Sequence, residues 1–220
     1  MIKENLEAIK EQLPEGVTLV AVSKTKPIEL IQEAYDAGQR IFGENRPLEM
    51  RDKHAELPQD IQWHMIGHLQ TNKVKYIIDF VDLIHAVDSV KLLDEIEKRA
   101  SKIDRKIDVL LQVHIAQESA KFGFYREEIL ALISDTDWEN YPHVNIRGLM
   151  GMATFTDDIE QVRGEFKTLK NIFDSILQMR TNKTLDVNIL SMGMSGDFQL
   201  AIEEGSTMVR VGSRIFGARI

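Results

Sequence analysis

A lysine that directly follows a buried strand can react with a carbonyl group if its surroundings lower the pKa of its amine. Lys24 stands two residues beyond the apolar run 18–22, whose Val and Leu content predicts a buried strand. Partial burial at a strand end lowers a lysine pKa and frees the amine to form a Schiff base. The alternative is a solvated side chain, which is the usual state of a lysine after a strand. Lys24 is therefore a candidate site for covalent attachment of an aldehyde.

Two segments rich in Gly and Ser near the end of the sequence could bind an anion. Residues 191–196 (SMGMSG) lead into a predicted helix, and residues 211–213 (VGS) end a predicted strand. Small residues leave backbone N–H groups exposed, and such amides bind phosphate together with a helix N-terminus. The alternative is that the glycines only permit tight turns and that Ser195 caps the helix.

Arg210 shares one face of a predicted strand with Met208 and Gly212, and that face could carry the guanidinium toward the same site. A buried arginine needs a hydrogen-bond acceptor, and a pyridine nitrogen would serve. An arginine there keeps the nitrogen unprotonated and weakens the ring as an electron sink. The alternative is an outward-facing salt bridge to a helix.

His64 and His68 stand four residues apart, a spacing that would suggest a metal-binding pair on a helix. Residues 63–67 instead predict a strand and its turn, so we expect no zinc site. Asn45 and His64 could orient a ligand at their strand ends. The alternative for both is a satisfied polar group without a role in binding.

Eight short apolar runs alternate with helical patterns, which is typical of βαβ units and a parallel sheet. The predicted strands are residues 18–22, 40–43, 62–66, 83–87, 109–113, 146–150, 188–191 and 208–211. The predicted helices are residues 1–12, 28–37, 48–57, 73–80, 90–103, 126–134, 159–179 and 198–204.

This order predicts an α/β fold, a single (β/α)8 TIM-type barrel with an extra N-terminal helix. An open doubly wound sheet is the alternative, but the G-x-G-x-x-G turn expected after its first strand is absent. In a barrel the carboxyl ends of all strands meet at one rim, so the candidate residues should lie near one another. Lys26 shares the strand parity of Lys24 but abuts Pro27, so we expect it further from the barrel axis.

The composition is that of an ordinary globular protein, with 43% hydrophobic and 28% charged residues in 220. We expect one domain, residues 1–220, because no linker or repeat marks a boundary. A net charge of -8 without a basic run argues against nucleic-acid or membrane partners. The absence of cysteine, of a signal peptide and of a membrane-spanning stretch leads us to expect a cytoplasmic protein.

Five motifs of the chain are specific in combination. They are residues 21–27 (AVSKTKP), 42–45 (FGEN), 63–73 (WHMIGHLQTNK), 190–195 (LSMGMS) and 209–217 (VRVGSRIFG). Together they resemble the pyridoxal phosphate homeostasis protein family, whose barrel is similar to the N-terminal domain of alanine racemase. The resemblance runs along essentially the whole chain.

The resemblance implies that pyridoxal 5′-phosphate is the cofactor and that Lys24 forms the internal aldimine with it. It also implies that the phosphate is bound by Ser195, Gly212 and Ser213, and that Arg210 faces the pyridine nitrogen. Asn45 and His64 would lie nearby in the pocket.

We expect a carrier or buffer of the cofactor rather than an enzyme, because racemases of this fold obtain a second base from an added domain for which this chain leaves no room. The same reasoning predicts a monomer, and apo-enzymes that need the cofactor are expected partners. The alternative is a small amino-acid racemase or lyase that depends on pyridoxal phosphate. A barrel that binds another phosphorylated metabolite without a covalent bond is a third alternative.

Overall fold

Eight parallel strands close into a barrel, and their order around the ring is their order in the chain. The computed structural model describes residues 1–117, 122–179 and 185–217. The first and last strands pair in parallel, with Val20 opposite Arg210, and this pairing closes the ring. The predicted (β/α)8 barrel is confirmed, and the alternative of an open sheet is wrong.

All eight predicted strands are present, with ends that differ from the predicted ones by at most three residues. They are β1 (Thr18–Val22), β2 (Ile41–Glu44), β3 (Gln62–Met65), β4 (Leu83–Val87), β5 (Ile107–Gln112), β6 (Val144–Met150), β7 (Ile189–Met194) and β8 (Met208–Val211). The α-helices are α1 (Ile2–Lys10), α2 (Ile28–Asp36), α3 (Pro47–Glu56), α4 (Val90–Ser101), α5 (Arg126–Asp135), α6 (Ile159–Gln178), α7 (Phe198–Glu203) and α8 (Ser213–Phe216). Short 3₁₀ helices span Thr71–Tyr76 and Trp138–Asn140.

The longest helix, α6, shows why the helices cover the outside of the barrel. Its N-terminus is capped by the Asp158 carboxylate, which accepts a hydrogen bond from the Gln161 amide. Apolar residues at helical spacing, among them Phe166, Leu169 and Phe173, form one buried face. Burial of that face against the strands, rather than helix propensity, stabilises the helix.

A second, smaller apolar cluster lies on the inner face of the strands. Its buried members lie on five of the strands, β1, β4, β5, β6 and β8, and they are Val20, Leu83, Ala86, Leu110, Met150 and Met208. Strand alternation places the residues two positions further along on the same face, so Val22 and Arg210 lie above this apolar floor. The interior is thus apolar below and polar toward the carboxyl ends of the strands.

The predicted helix 73–80 is wrong in type and position. The chain there forms the 3₁₀ helix Thr71–Tyr76, followed by turns. Val74, Ile77 and Ile78 are buried at the spacing that suggested an α-helix. Because all three are β-branched, their α-helix propensity is low, and bonds such as Ile77 N–H to the Val74 carbonyl bury them in tighter turns.

A substitution at Gly148 in β6 tests how closely β6 packs against the neighbouring strand β7. Its φ is +153°, and a Cβ atom there would lie 1.7 Å from the backbone oxygen of Ile189. We expect Gly148→Ala to lower the free energy of unfolding by about 3 kcal/mol, because neighbouring backbone would have to move. Urea unfolding followed by circular dichroism measures this effect.

Gly164 in α6 is the matched control, since a Cβ atom there meets nothing within 4 Å. Gly164→Ala should raise the free energy of unfolding by about 0.5–1 kcal/mol through the helix propensity of alanine. Equal effects of the two substitutions would contradict the packing argument.

Candidate functional site

A cavity of about 570 Å³ opens at the carboxyl ends of the strands. It brings together six of the seven residues predicted for the site. They are Lys24, Asn45, Ser195, Arg210, Gly212 and Ser213. The seventh, His64, is not among the lining residues and lies deeper in the barrel.

Lys24 is carried by a turn that directly follows β1. Ser23, before it, is fully buried, whereas Lys24 itself is half-buried and lines the cavity. Thr25, after it, has φ +63°, a left-handed conformation that costs free energy for a β-branched residue. The turn therefore has a specific shape, which its surroundings must enforce.

Lys26 also lines the cavity but is held by the end of the chain beyond β8. Its Nζ donates hydrogen bonds to the Phe216 and Gly217 carbonyl oxygens, at 3.1 and 3.2 Å. These bonds direct its amine to one side of the cavity. They also connect the segment after β1 to the C-terminal end of α8.

The two segments rich in Gly and Ser meet each other at the rim. The Gly212 amide donates a hydrogen bond of 3.1 Å to Ser195 Oγ. A Cβ atom at Gly212 would lie 3.0 Å from the Val22 carbonyl oxygen, so a glycine permits this close approach to β1. The proposal that Ser195 caps the following helix is wrong, because Asp197 occupies the N-cap position of α7.

Arg210 points into the barrel and not outward to a helix. Its side chain is buried, and its two terminal nitrogens donate to Ser191 Oγ at 2.5 Å and to the Gly151 carbonyl oxygen at 3.0 Å. Burial lowers the pKa of Arg210 to about 10, while Asp197 opposes this shift. The guanidinium therefore remains charged at neutral pH.

His64 joins a buried chain of hydrogen bonds that ends at Arg210. Its Nδ1 lies 3.0 Å from Nε2 of His85, and Nδ1 of His85 lies 3.0 Å from Ser191 Oγ. Burial lowers the pKa of His64 to about 3 and, with smaller effects of His64 and Arg210, the pKa of His85 well below its ordinary value. Both imidazoles are neutral, so the chain holds the arginine without adding positive charge.

Sequence analysis did not identify His85 and Ser191 as site residues. Each is a single polar residue in an otherwise apolar strand, and both are fully buried. A polar residue in a buried strand must find a partner, and that signal was present in the sequence. Which partner it finds depends on the closure of the barrel.

Asn45 supplies a polar atom without a partner. Its Oδ1 is buried, and none of the residues that the structure describes donates a hydrogen bond to it. The backbone of Asn45 is approached closely by Gly67, where a Cβ atom would lie 2.7 Å from the Asn45 carbonyl oxygen. Asn45 thus carries a buried acceptor that a bound ligand could satisfy.

The cavity is locally positive in a chain that is acidic as a whole. Among its described lining residues, Lys24, Lys26, Arg210 and Arg214 carry positive charge and only Asp197 is acidic. Burial raises the pKa of Asp197, although the Met194 amide and Arg210 oppose the rise. This distribution favours an anionic ligand.

The two histidines spaced four residues apart, His64 and His68, have different surroundings. His64 lies in β3, and His68 pairs with Asp88 at 2.8 Å outside the cavity. Within residues 1–117, 122–179 and 185–217, no three metal-ligating side chains come together. Over the same ranges, no helix has the length and apolar character needed to span a membrane.

Comparison with known proteins identifies several relatives. The model of the alanine racemase N-terminal domain family matches residues 1–220. A pyridoxal phosphate homeostasis protein of Aquifex aeolicus is 44% identical over 202 residues, which cover 91% of this chain and 86% of that protein. A pyridoxal phosphate homeostasis protein of Escherichia coli is 36% identical over 210 residues, which cover 94% of this chain and 87% of that protein.

Solved structures agree with these relatives. PipY of Synechococcus elongatus is 37% identical, and the match covers 99% of this chain and 100% of PipY. The TM-score is 0.92 for the structure without PLP and 0.89 for the one with PLP bound. Alanine racemase of Corynebacterium glutamicum, 15% identical with a TM-score of 0.78, shares the fold, and the match covers 99% of this chain and 60% of that one.

The buried histidines predict how stability depends on pH. Folded His64 stays neutral down to a pH of about 3, whereas the unfolded chain protonates it below its ordinary pKa of 6.5. Between these two pH values the unfolded state binds more protons than the folded state. The contribution of His64 to stability is therefore complete above pH 6.5 and falls on acidification. Between pH 6.5 and 4.5, wild type should lose about 2–3 kcal/mol more unfolding free energy than His64→Gln.

Urea unfolding at several pH values measures this difference. His143→Gln is the control, because the hydrogen bond with Glu97 raises the pKa of His143. That contribution is present below the ordinary histidine pKa and is lost as pH rises, so removing it changes the profile in the opposite sense. Parallel profiles for wild type and His64→Gln would contradict a neutral, buried His64.

Proposed function

Because the chain belongs to the pyridoxal phosphate homeostasis protein family, we propose that it binds pyridoxal 5′-phosphate and holds it as a Schiff base on Lys24. The observation that carries this proposal is the presence of Lys24, Ser195 and Arg210 in one cavity. In the proposed linkage, the Lys24 amine adds to the aldehyde carbon, and the carbonyl oxygen leaves as water.

The residues of the cavity fit this cofactor. A lysine amine suits an aldehyde, the surplus of positive charge suits a phosphate, and the unpaired Oδ1 of Asn45 suits a hydroxyl donor. When bound, pyridoxal phosphate supplies an aldehyde and an electron-withdrawing ring. The donor set therefore agrees with the chemistry of the ligand at both of its ends.

We assign a role to each site residue from its place in the cavity. Ser195, Gly212 and Ser213 bind the phosphate where the two rim segments meet. Arg210 faces the ring nitrogen and keeps it unprotonated, since a charged guanidinium disfavours a second positive charge. Asn45 orients the ring, and His64 acts from below through the buried chain that supports Arg210.

We propose that the protein carries or buffers the cofactor and does not turn over amino acids. Racemisation needs a second positioned acid or base beside the lysine. Among the described lining residues, Lys26 donates to two carbonyl oxygens, and the Asp197 carboxylate accepts the Met194 amide at 2.5 Å. Neither is placed as a second base, and the named relatives are homeostasis proteins.

The same proposal extends to the domain organisation, oligomeric state, location and partners of the protein. Residues 1–220 are proposed as one domain that acts as a monomer in the cytoplasm, consistent with the absence of cysteine. The partners proposed are apo-enzymes that need pyridoxal phosphate. A net charge of -8 argues against nucleic-acid and anionic-membrane partners.

Borohydride reduction tests the covalent linkage. After incubation with pyridoxal phosphate, reduction and peptide mass mapping should find one pyridoxyl adduct, on Lys24. Lys24→Ala should abolish the adduct, while Lys26→Ala should keep it, because the Lys26 amine is bound to the chain beyond β8. An adduct at Lys26, or none in wild type, would refute the proposed attachment.

Turnover assays separate the carrier from the racemase. Purified protein loaded with pyridoxal phosphate should leave the configuration of a panel of amino acids unchanged, as followed by chiral chromatography. An apo-enzyme added to the same sample should gain activity as the cofactor is transferred. Stereochemical exchange that disappears in Lys24→Ala would overturn the carrier proposal and favour a small racemase.

A further inference from the structure

A buried lysine outside the cofactor residues lies directly behind the turn that carries Lys24. Lys53 is on α3, and its side chain is 8% exposed. Its Nζ donates three hydrogen bonds, to the Ser23 carbonyl oxygen at 2.9 Å, to Glu44 Oε1 at 2.8 Å and to Glu49 Oε1 at 2.7 Å. Three acceptors satisfy all three protons of the ammonium group.

The same three acceptors reach both neighbours of Lys24. Before it, Ser23 accepts from Lys53 through its carbonyl oxygen and donates its hydroxyl to Glu44 Oε1 at 2.6 Å. After it, the Thr25 amide donates to Glu49 Oε1 at 2.6 Å. One ammonium group therefore connects the backbone on the two sides of Lys24, including the residue at φ +63°.

Burying this set of charges is costly, and stability alone does not require it. Burial raises the pKa of Glu44, although the hydrogen bonds from Lys53 and Ser23 oppose the rise. Burial also acts to raise the pKa of Glu49, but the hydrogen bonds from Lys53 and Thr25 outweigh it and leave the pKa lowered. Apolar residues of similar volume commonly replace buried ion pairs without loss of stability. The feature that apolar residues could not supply is the directed set of bonds to the Lys24 turn.

Resting on the function proposed above, we propose that Lys53 and Glu49 are positioning residues that hold the Lys24 turn in the shape that reacts with the aldehyde. In that reaction the Lys24 amine adds to the aldehyde carbon, its protons pass to the oxygen, and water leaves. We assign Lys53 and Glu49 no part in these bond changes. They act through the backbone of Ser23 and Thr25, whose placement sets the direction of the Lys24 side chain.

Two probes separate positioning of Lys24 from binding of the cofactor. Pyridoxal 5′-phosphate condenses with an amine, whereas pyridoxine 5′-phosphate carries an alcohol in place of the aldehyde and cannot. For Lys53→Met, we expect the condensation rate, followed by absorbance after rapid mixing, to fall by about 10- to 100-fold. The dissociation constant of pyridoxine 5′-phosphate should stay within about twofold of wild type, since the phosphate loops are intact.

Glu49 provides a rescue experiment that does not depend on the folding of Lys53→Met. Glu49→Gln keeps an oxygen that can accept from Thr25 and Lys53, whereas Glu49→Ala removes it. We expect slow condensation in Glu49→Ala and a rate closer to wild type in Glu49→Gln. Ile172→Ala, in the buried face of α6, lowers stability away from the rim and should condense at the wild-type rate.

The outcomes are distinguishable. If wild type forms no Lys24 adduct, the proposed function fails. If wild type forms it and both Lys53→Met and Glu49→Ala condense at the wild-type rate, the positioning role is refuted. Slowing that also appears in Ile172→Ala, or that is matched by equal weakening of pyridoxine 5′-phosphate binding, would likewise refute it in favour of a purely structural role.

Discussion

Parallel pairing of β1 with β8 is the constraint on which the rest of the structure depends. The pairs Val20 with Arg210 and Ala21 with Val211 set the register between the two ends of the chain. This register brings the turn after β1 against the loop after β8, where Gly212 approaches the Val22 carbonyl oxygen. A one-residue slip would reverse the faces of β8 and remove Arg210 from the interior. The strand pairing that closes the barrel therefore also brings the site residues together.

The interior of the barrel separates an apolar floor from a polar upper layer, and within that layer a chain of hydrogen bonds holds Arg210. Arg210 can only donate hydrogen bonds, so Ser191 accepts one and can pass its own hydrogen to His85. Neutral His85 can then donate to His64. The hydrogen-bond partners of the buried arginine are therefore uncharged, and Asp197 acts on the guanidinium only through its charge.

Much of the fold was predictable from local patterns, because strand and helix periods report which face is buried. The rim residues were predictable too, since parallel strands bring their carboxyl ends together. The contacts that support them were not. Lys53 reaches Ser23 across 30 residues, and His85 meets Ser191 across 106, so neither pair has a local signal. The 3₁₀ helix at Thr71–Tyr76 was missed for another reason. Apolar residues three or four positions apart can be buried on one side of either an α-helix or a 3₁₀ helix, so their spacing does not distinguish the two.

Three lysines near one strand end show how surroundings assign different roles to the same side chain. Lys53 is buried, and its Nζ donates hydrogen bonds to two carboxylates and a carbonyl oxygen, which fix its position. Lys26 donates to two carbonyl oxygens beyond β8, so its amine serves as a tether. Lys24 follows a fully buried serine and lines the cavity. An aldehyde needs an amine that can lose its proton and point at the ligand. Lys53 donates all three ammonium hydrogens to acceptors behind the turn, and the bonds of Lys26 direct its amine to one side of the cavity. Lys24, which lines the cavity at the end of β1, is the position that we propose for the linkage.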